Sequence, residues 1–176
     1  MMPKKTLLAA AVFALGGIAM SAASANVTTG TFNVSLTVNK TCAVNTTGAS
    51  NITLAAVNAG ATTATLPGTF TVNCSNKTPF NVGLAPSNNN TAGAGNLAGT
   101  GGNLATIAYA LYQDASGTTP WGNTATASAV GNGESGMGGG MAAAKAVSFT
   151  TYANATGTTD VQPDTYTDTV TINVNF

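Results

Sequence analysis

From Tyr166 to Phe176 the chain reads Tyr-Thr-Asp-Thr-Val-Thr-Ile-Asn-Val-Asn-Phe, an apolar/polar alternation that closes on an aromatic residue. Val170, Ile172, Val174 and Phe176 share one face, while Thr169, Thr171, Asn173 and Asn175 share the other. Side chains switch faces at every residue of a strand, so the pattern predicts a half-buried β-strand running to Phe176. Such a strand is expected to pair with one already formed, or with another chain. Near the other end, Phe32-Asn33-Val34-Ser35-Leu36-Thr37-Val38 alternates in the same way. Two clean alternating strands of this kind predict association of copies through sheet edges.

The first 25 residues are set apart from the fold. Met1 to Lys5 is short and basic, Thr6 to Met20 is apolar, and Ala23-Ser24-Ala25 is a small-x-small cleavage site. That order predicts a secretory signal peptide cut before Asn26. Removing 25 of 176 residues leaves 151, enough for one domain with a real core. The remaining Lys40, Lys77 and Lys145 face Asp114, Glu134, Asp160, Asp164 and Asp168, a net charge of −2 with no arginine. A surface so poor in cations cannot track a phosphate backbone, which excludes nucleic acid as a partner. Charged residues are only 6% of the chain, so few charges need desolvating where copies pack together.

Cys42 and Cys74 are the only cysteines, and an even pair in an exported chain is most simply a disulfide. Their spacing is not C-x-x-C, and no histidine is present to act as a co-ligand or base. The same absence removes Ser-His-Asp and Cys-His chemistry, so no catalytic, metal-binding or cofactor-binding residue is assigned and the chain is not read as an enzyme. Asp160, Asp164 and Asp168 form an acidic cluster around Pro163, which is read as turn and edge chemistry rather than a glycosidase pair.

Strands are expected over Thr31–Val38, Thr41–Val44, Asn51–Ala55, Thr69–Cys74, Phe80–Leu84, Thr106–Gln113, Ala146–Tyr152 and Thr165–Phe176. Many short strands at this spacing, without intervening helices, predict an antiparallel all-β sandwich. Ser87–Asn103 and Asn123–Ala144, rich in Gly, Asn and Ala, are expected to be mobile surface loops, the second with room for a short helix at Met141–Ala146. The strand Phe32–Val38 carries no Lys, Pro or bulge signal to blunt its edge. It serves either as the first strand of its own sandwich or as a strand added to a partner's edge.

The ordered series of these motifs resembles the spore coat protein U domain family, which includes the major pilins of archaic, Csu-type chaperone–usher pili. The residues that carry the resemblance are Gly30-x-Phe32-x-Val34-x-Leu36-x-Val38, Cys42-x-Val44, Phe70-x-Val72-x-Cys74 and Pro79-Phe80-x-Val82-x-Leu84. Tyr109-x-Leu111-Tyr112-x-Asp114, Trp121-Gly122 and Tyr166-x-Asp168-x-Val170-x-Ile172-x-Val174-x-Phe176 complete the series.

The resemblance implies an incomplete immunoglobulin-like antiparallel sandwich, completed by a donated N-terminal strand. It implies a donor segment at residues 26–38, overlapping the first strand, and an Ig-like pilin domain at 39–176. Phe32, Val34, Leu36 and Val38 are the implied donor residues, although some of them belong equally well to the subunit's own first strand, with Val27 and its neighbours donated instead. Val170, Ile172, Val174 and Phe176 are the implied acceptor-groove strand that a periplasmic chaperone reads, its terminal carboxylate against basic chaperone residues. Cys42 and Cys74 match the family's disulfide. The expected function is that of a structural subunit of a surface pilus, exported through the periplasm, assembled head to tail through an outer-membrane usher, and supporting adhesion and biofilm formation. Its partners are then further copies of itself, the chaperone and the usher, with membrane contact only through the usher. Two other expectations stay open, a self-complemented monomeric coat or matrix protein and a minor adhesin subunit. The Gly-rich stretch around Gly131–Gly140 departs from the family pattern.

Overall fold

A computed structural model describes residues 26–176, so the expected signal peptide lies outside the described residues. The chain divides into a segment that ends at Thr37 and a larger unit, Val38–Phe176. Within residues 26–41 no ladder or helix forms. The strand expected over Thr31–Val38 is therefore not made in the single chain. Alternation provides a face, but a strand also needs a neighbour to take its backbone N–H and C=O groups.

The larger unit is an incomplete immunoglobulin-like sandwich of two antiparallel sheets. Its strands are β1 (Cys42–Asn45), β2 (Leu66–Cys74), β3 (Pro79–Ala85), β4 (Ala94–Gly99), β5 (Thr106–Tyr112), β6 (Glu134–Met137), β7 (Val147–Ala155), β8 (Tyr166–Thr167) and β9 (Thr171–Asn175). Six of them form one sheet in the order β1-β2-β7-β5-β4-β8, and the other three form a second sheet in the order β6-β3-β9. Between the sheets lie the inward rows anticipated from alternation: Phe70, Val72 and Cys74 from β2, Phe80, Val82 and Leu84 from β3, Tyr109 and Leu111 from β5, and Phe149 from β7. Phe149 is stacked on Phe70 at 5.5 Å and edge-on to Phe80 at 6.0 Å. Trp121 closes this cluster, fully buried, with its indole Nε1–H donating to the Val82 carbonyl at 3.0 Å. A buried indole needs such a partner, and the bond ties the loop after β5 to the opposite sheet. Cys42 and Cys74 face one another in the β1–β2 register and are joined by a disulfide.

Both stretches expected to be mobile loops contain strands. In β4, Gly95 lies across from Tyr109, and in β6, Gly136 lies across from Phe80. A Cβ added to either glycine would stand 2.3 Å from the opposing ring. The aromatic side chain thus covers the bare backbone of its cross-strand neighbour, so the apolar burial of each pair comes from one residue. Alternation cannot reveal a strand whose inward position is glycine. The turns around these strands are fixed by asparagine. Asn132 Oδ1 accepts from the Thr124 backbone at 3.0 Å, while its Nδ2 donates to the Thr91 carbonyl at 2.8 Å, joining the two stretches. At Met141–Ala146 a single 3₁₀ turn forms, Ala143–Lys145.

Two further expectations are corrected. Asn51–Ala55 forms no ladder; a capped 3₁₀ turn at Gly48–Ser50 precedes it, with Ser50 Oγ donating to the Thr69 carbonyl at 2.7 Å. Ile52 and Leu54 still turn inward between exposed neighbours, so the alternation was a true record of burial without pairing. The final strand is broken. β8 belongs to the six-stranded sheet and β9 to the other, and the chain crosses between sheets at Asp168-Thr169-Val170.

Candidate functional site

β9 pairs with β3 alone, so its outer edge has no ladder among the described residues. Beside that edge the two sheets part around a cleft of about 1010 Å³. Its apolar walls include Leu84, Leu97, Ile107 and Leu111 from the strands, Ile52 and Leu54 from the unpaired stretch, and Val170 and Ile172. A core that opens to solvent along one strand is what remains when a sandwich lacks one strand. Val170, Ile172 and Val174 are half-buried against the core, although only the first two line the cleft. Phe176 lies past the end of β9 and is 43% exposed.

The carboxylates of the cleft, Asp164 and Asp168, lie at and just before the sheet crossing. The Tyr109 hydroxyl donates to Asp168 Oδ2 at 2.7 Å, and Asp168 Oδ1 accepts from the Thr169 backbone at 2.8 Å. Both bonds hold the kink that lets the chain leave one sheet for the other. Burial, reinforced by the hydrogen bond and charge of Asp168, pushes the Tyr109 hydroxyl far above the usual tyrosine range. Just upstream, Asp164 receives the Gly101 and Thr165 backbone N–H groups at 2.9 Å and 2.7 Å, which with Asn103 and Thr100 hold its carboxyl below the usual range. Asp114 does similar work in the turn after β5. The Ser116 hydroxyl, then the Thr118 and Thr119 backbones, hold its carboxyl well below the usual range and set the turn that delivers Trp121. Asp164 and Asp168 thus hold turn and edge structure. No group of three or more His, Cys, Asp or Glu able to hold a metal occurs among the described residues.

The sequence-derived donor residues form a row of their own. Phe32, Val34, Leu36 and Val38 are all more than 80% exposed, as is Val27. What the sequence did not single out were Tyr109–Asp168 as a pair, and Ile52, Leu54 and Leu97 as cleft walls. A tyrosine in an inward row was the available signal for the first, since a buried phenol requires a partner.

A chain of the solved CsuC–CsuE chaperone–tip adhesion subunit pre-assembly complex, from archaic chaperone–usher Csu pili of Acinetobacter baumannii, superposes with a TM-score of 0.52 at 17% identity. The match covers 80% of this chain and 41% of that one, and at such identity it is the fold that is shared. No curated protein sequence matches. The model of the Spore Coat Protein U domain matches residues 28–173, and the chain belongs to that family.

Proposed function

We propose that this protein is a non-enzymatic structural subunit of a chaperone–usher pilus, whose cleft is filled in the fibre by the N-terminal segment of another copy. One observation carries the proposal: a domain with an open apolar cleft beside an unpaired strand edge, in a chain that also holds an exposed alternating series of four apolar residues. Each supplies what the other lacks. Burying an apolar side chain of this size contributes about 1.5–3 kcal/mol, so four contribute roughly 6–12 kcal/mol before the cost of ordering the segment. That is comparable with the whole stability of an ordinary domain. Folding is then completed by polymerisation, and because donor and acceptor surfaces differ, the contact repeats head to tail into a fibre.

On this account a periplasmic chaperone occupies the cleft first, an outer-membrane usher carries out the exchange, and the fibre serves adhesion and biofilm formation. Residues 26–38 are the donor segment and 39–176 the pilin domain, with Phe32, Val34, Leu36 and Val38 entering the cleft along Val170, Ile172, Val174 and Phe176. The test is Leu36→Asp, which sets a charge in an apolar cleft. The subunit should still be exported while surface fibres are lost. Normal fibres from that variant would overturn the donor role.

A further inference from the structure

One loop near the cleft is built more firmly than a connection requires. Thr100–Ala105 joins β4 to β5, and Asp164 grips it through the Gly101 N–H at 2.9 Å and the Asn103 amide at 3.3 Å. Asn103 Nδ2 also donates to the Tyr166 hydroxyl at 2.7 Å, and its Oδ1 accepts from the Ala105 N–H at 2.8 Å. This clamp holds Leu104 outward, 97% exposed. Asp164 and Tyr166 also line the cleft, so the loop stands at the cleft end where β8 gives way to β9. Asp160, Asp164 and Asp168 all lie in the nine residues that lead to this end.

Resting on the donor-strand proposal, the direction of the donated segment can be worked out. Every ladder in this domain is antiparallel, the slightly more stable pairing, and a segment added to β9 in that sense runs toward Val170. Three apolar donor residues can lie level with Val174, Ile172 and Val170 in two registers: Phe32, Val34 and Leu36, or Val34, Leu36 and Val38. Because the chain turns into the other sheet at Asp168-Thr169-Val170, Lys40 meets no ladder partner there; it lies four residues past the level of Val170 in the first register and two past it in the second. Lys40 is one of three lysines between Asn26 and Phe176, and it immediately precedes the donating copy's folded body. In either register it is carried past that crossing, at the cleft end that Asp164 and Asp168 line.

We infer that the Leu104 loop and the aspartates of the Asp160–Asp168 stretch form a second, body-to-body contact with the donating copy, Lys40 of that copy meeting Asp160, Asp164 or Asp168. The contact fixes the angle between consecutive subunits, whereas the cleft holds them together.

Fibres sheared from cells, treated with a zero-length carbodiimide, then boiled and digested for mass spectrometry, test this. Expected are boiling-resistant dimers in which Lys40 is joined to one of those three aspartates. Lys40→Glu, which removes the coupled amine and serves as the control, should abolish them, and Leu104→Ser should shorten the fibre persistence length in micrographs about twofold, both with the cold-SDS ladder intact. An intact ladder with no such dimers, or with Lys40 joined only to Asp114 or Glu134, would overturn the contact and leave the donor strand standing. Loss of the ladder in the unaltered protein would overturn the donor strand, and this contact with it.

Discussion

Leu36→Ala tests the fit of segment to cleft at the level of one side chain. In the free segment Leu36 is 88% exposed, and on donation it would lie level with Val170 or Ile172, both already half-buried against the core. Leucine exceeds alanine by three carbon groups worth about 0.8 kcal/mol each, a loss of roughly 2.4 kcal/mol, or about 60-fold in an exchange equilibrium. Differences of this kind are firmer than absolute sums, because the unfolded reference largely cancels. Thr37, next in line, points the other way along the strand, so Thr37→Ala should change stability by about 0.5 kcal/mol at most. The assay uses a permuted chain in which residues 27–40 follow Phe176 through a short flexible linker, making the donated strand part of one molecule. Trp121, the sole tryptophan and fully buried, reports urea unfolding by fluorescence. Sensitivity should alternate along the segment, high at Phe32, Val34 and Leu36 and low at Asn33, Ser35 and Thr37. Equal effects at Leu36 and Thr37 would show that the segment does not enter the cleft as a strand.

The same permuted molecule serves two further tests. Replacing both Cys42 and Cys74 by serine opens a loop with a sequence separation of 32, worth about 4 kcal/mol in the chain-entropy model, and should lower Tm by about 10 °C; calorimetry that finds the Tm unchanged would remove the bond from the stability account. Tyr109 predicts a dependence on alkaline pH. An unfolded tyrosine loses its proton near pH 10 while the folded one keeps it, so the folded state binds more protons there and stability falls as pH rises above about 10, by up to roughly 1.4 kcal/mol per pH unit. Below that pH the contribution is fully present. Tyr109→Phe should remove this slope and cost about 1 kcal/mol at neutral pH, where Asp168 loses its donor; an identical slope in the variant would contradict the assignment.

Where a strand buries an unbroken apolar row, as in Phe70-Val72-Cys74 or Phe80-Val82-Leu84, alternation located it closely. It failed where burial and pairing part company. Ile52 and Leu54 face inward without a ladder, and β4 and β6 pair without apolar rows of their own because Tyr109 and Phe80 cover their glycines. The cleft was legible only through resemblance. A void is made by residues from β3, β4, β5 and the stretch before β2, far apart in the chain, and no local pattern records that a strand is missing between them. Nor does local pattern reveal the break at Asp168, since the alternation from Tyr166 to Phe176 continues across it. The kink there is set by Tyr109, nearly sixty residues earlier.

The most direct measurement of the central claim is the mobility of material sheared from cells in SDS gels, with and without boiling. Donor-strand fibres should resist cold SDS and run as a high-mass ladder that collapses on boiling to one subunit band. A single small band in both lanes would contradict donation between copies and would favour the self-complemented monomer.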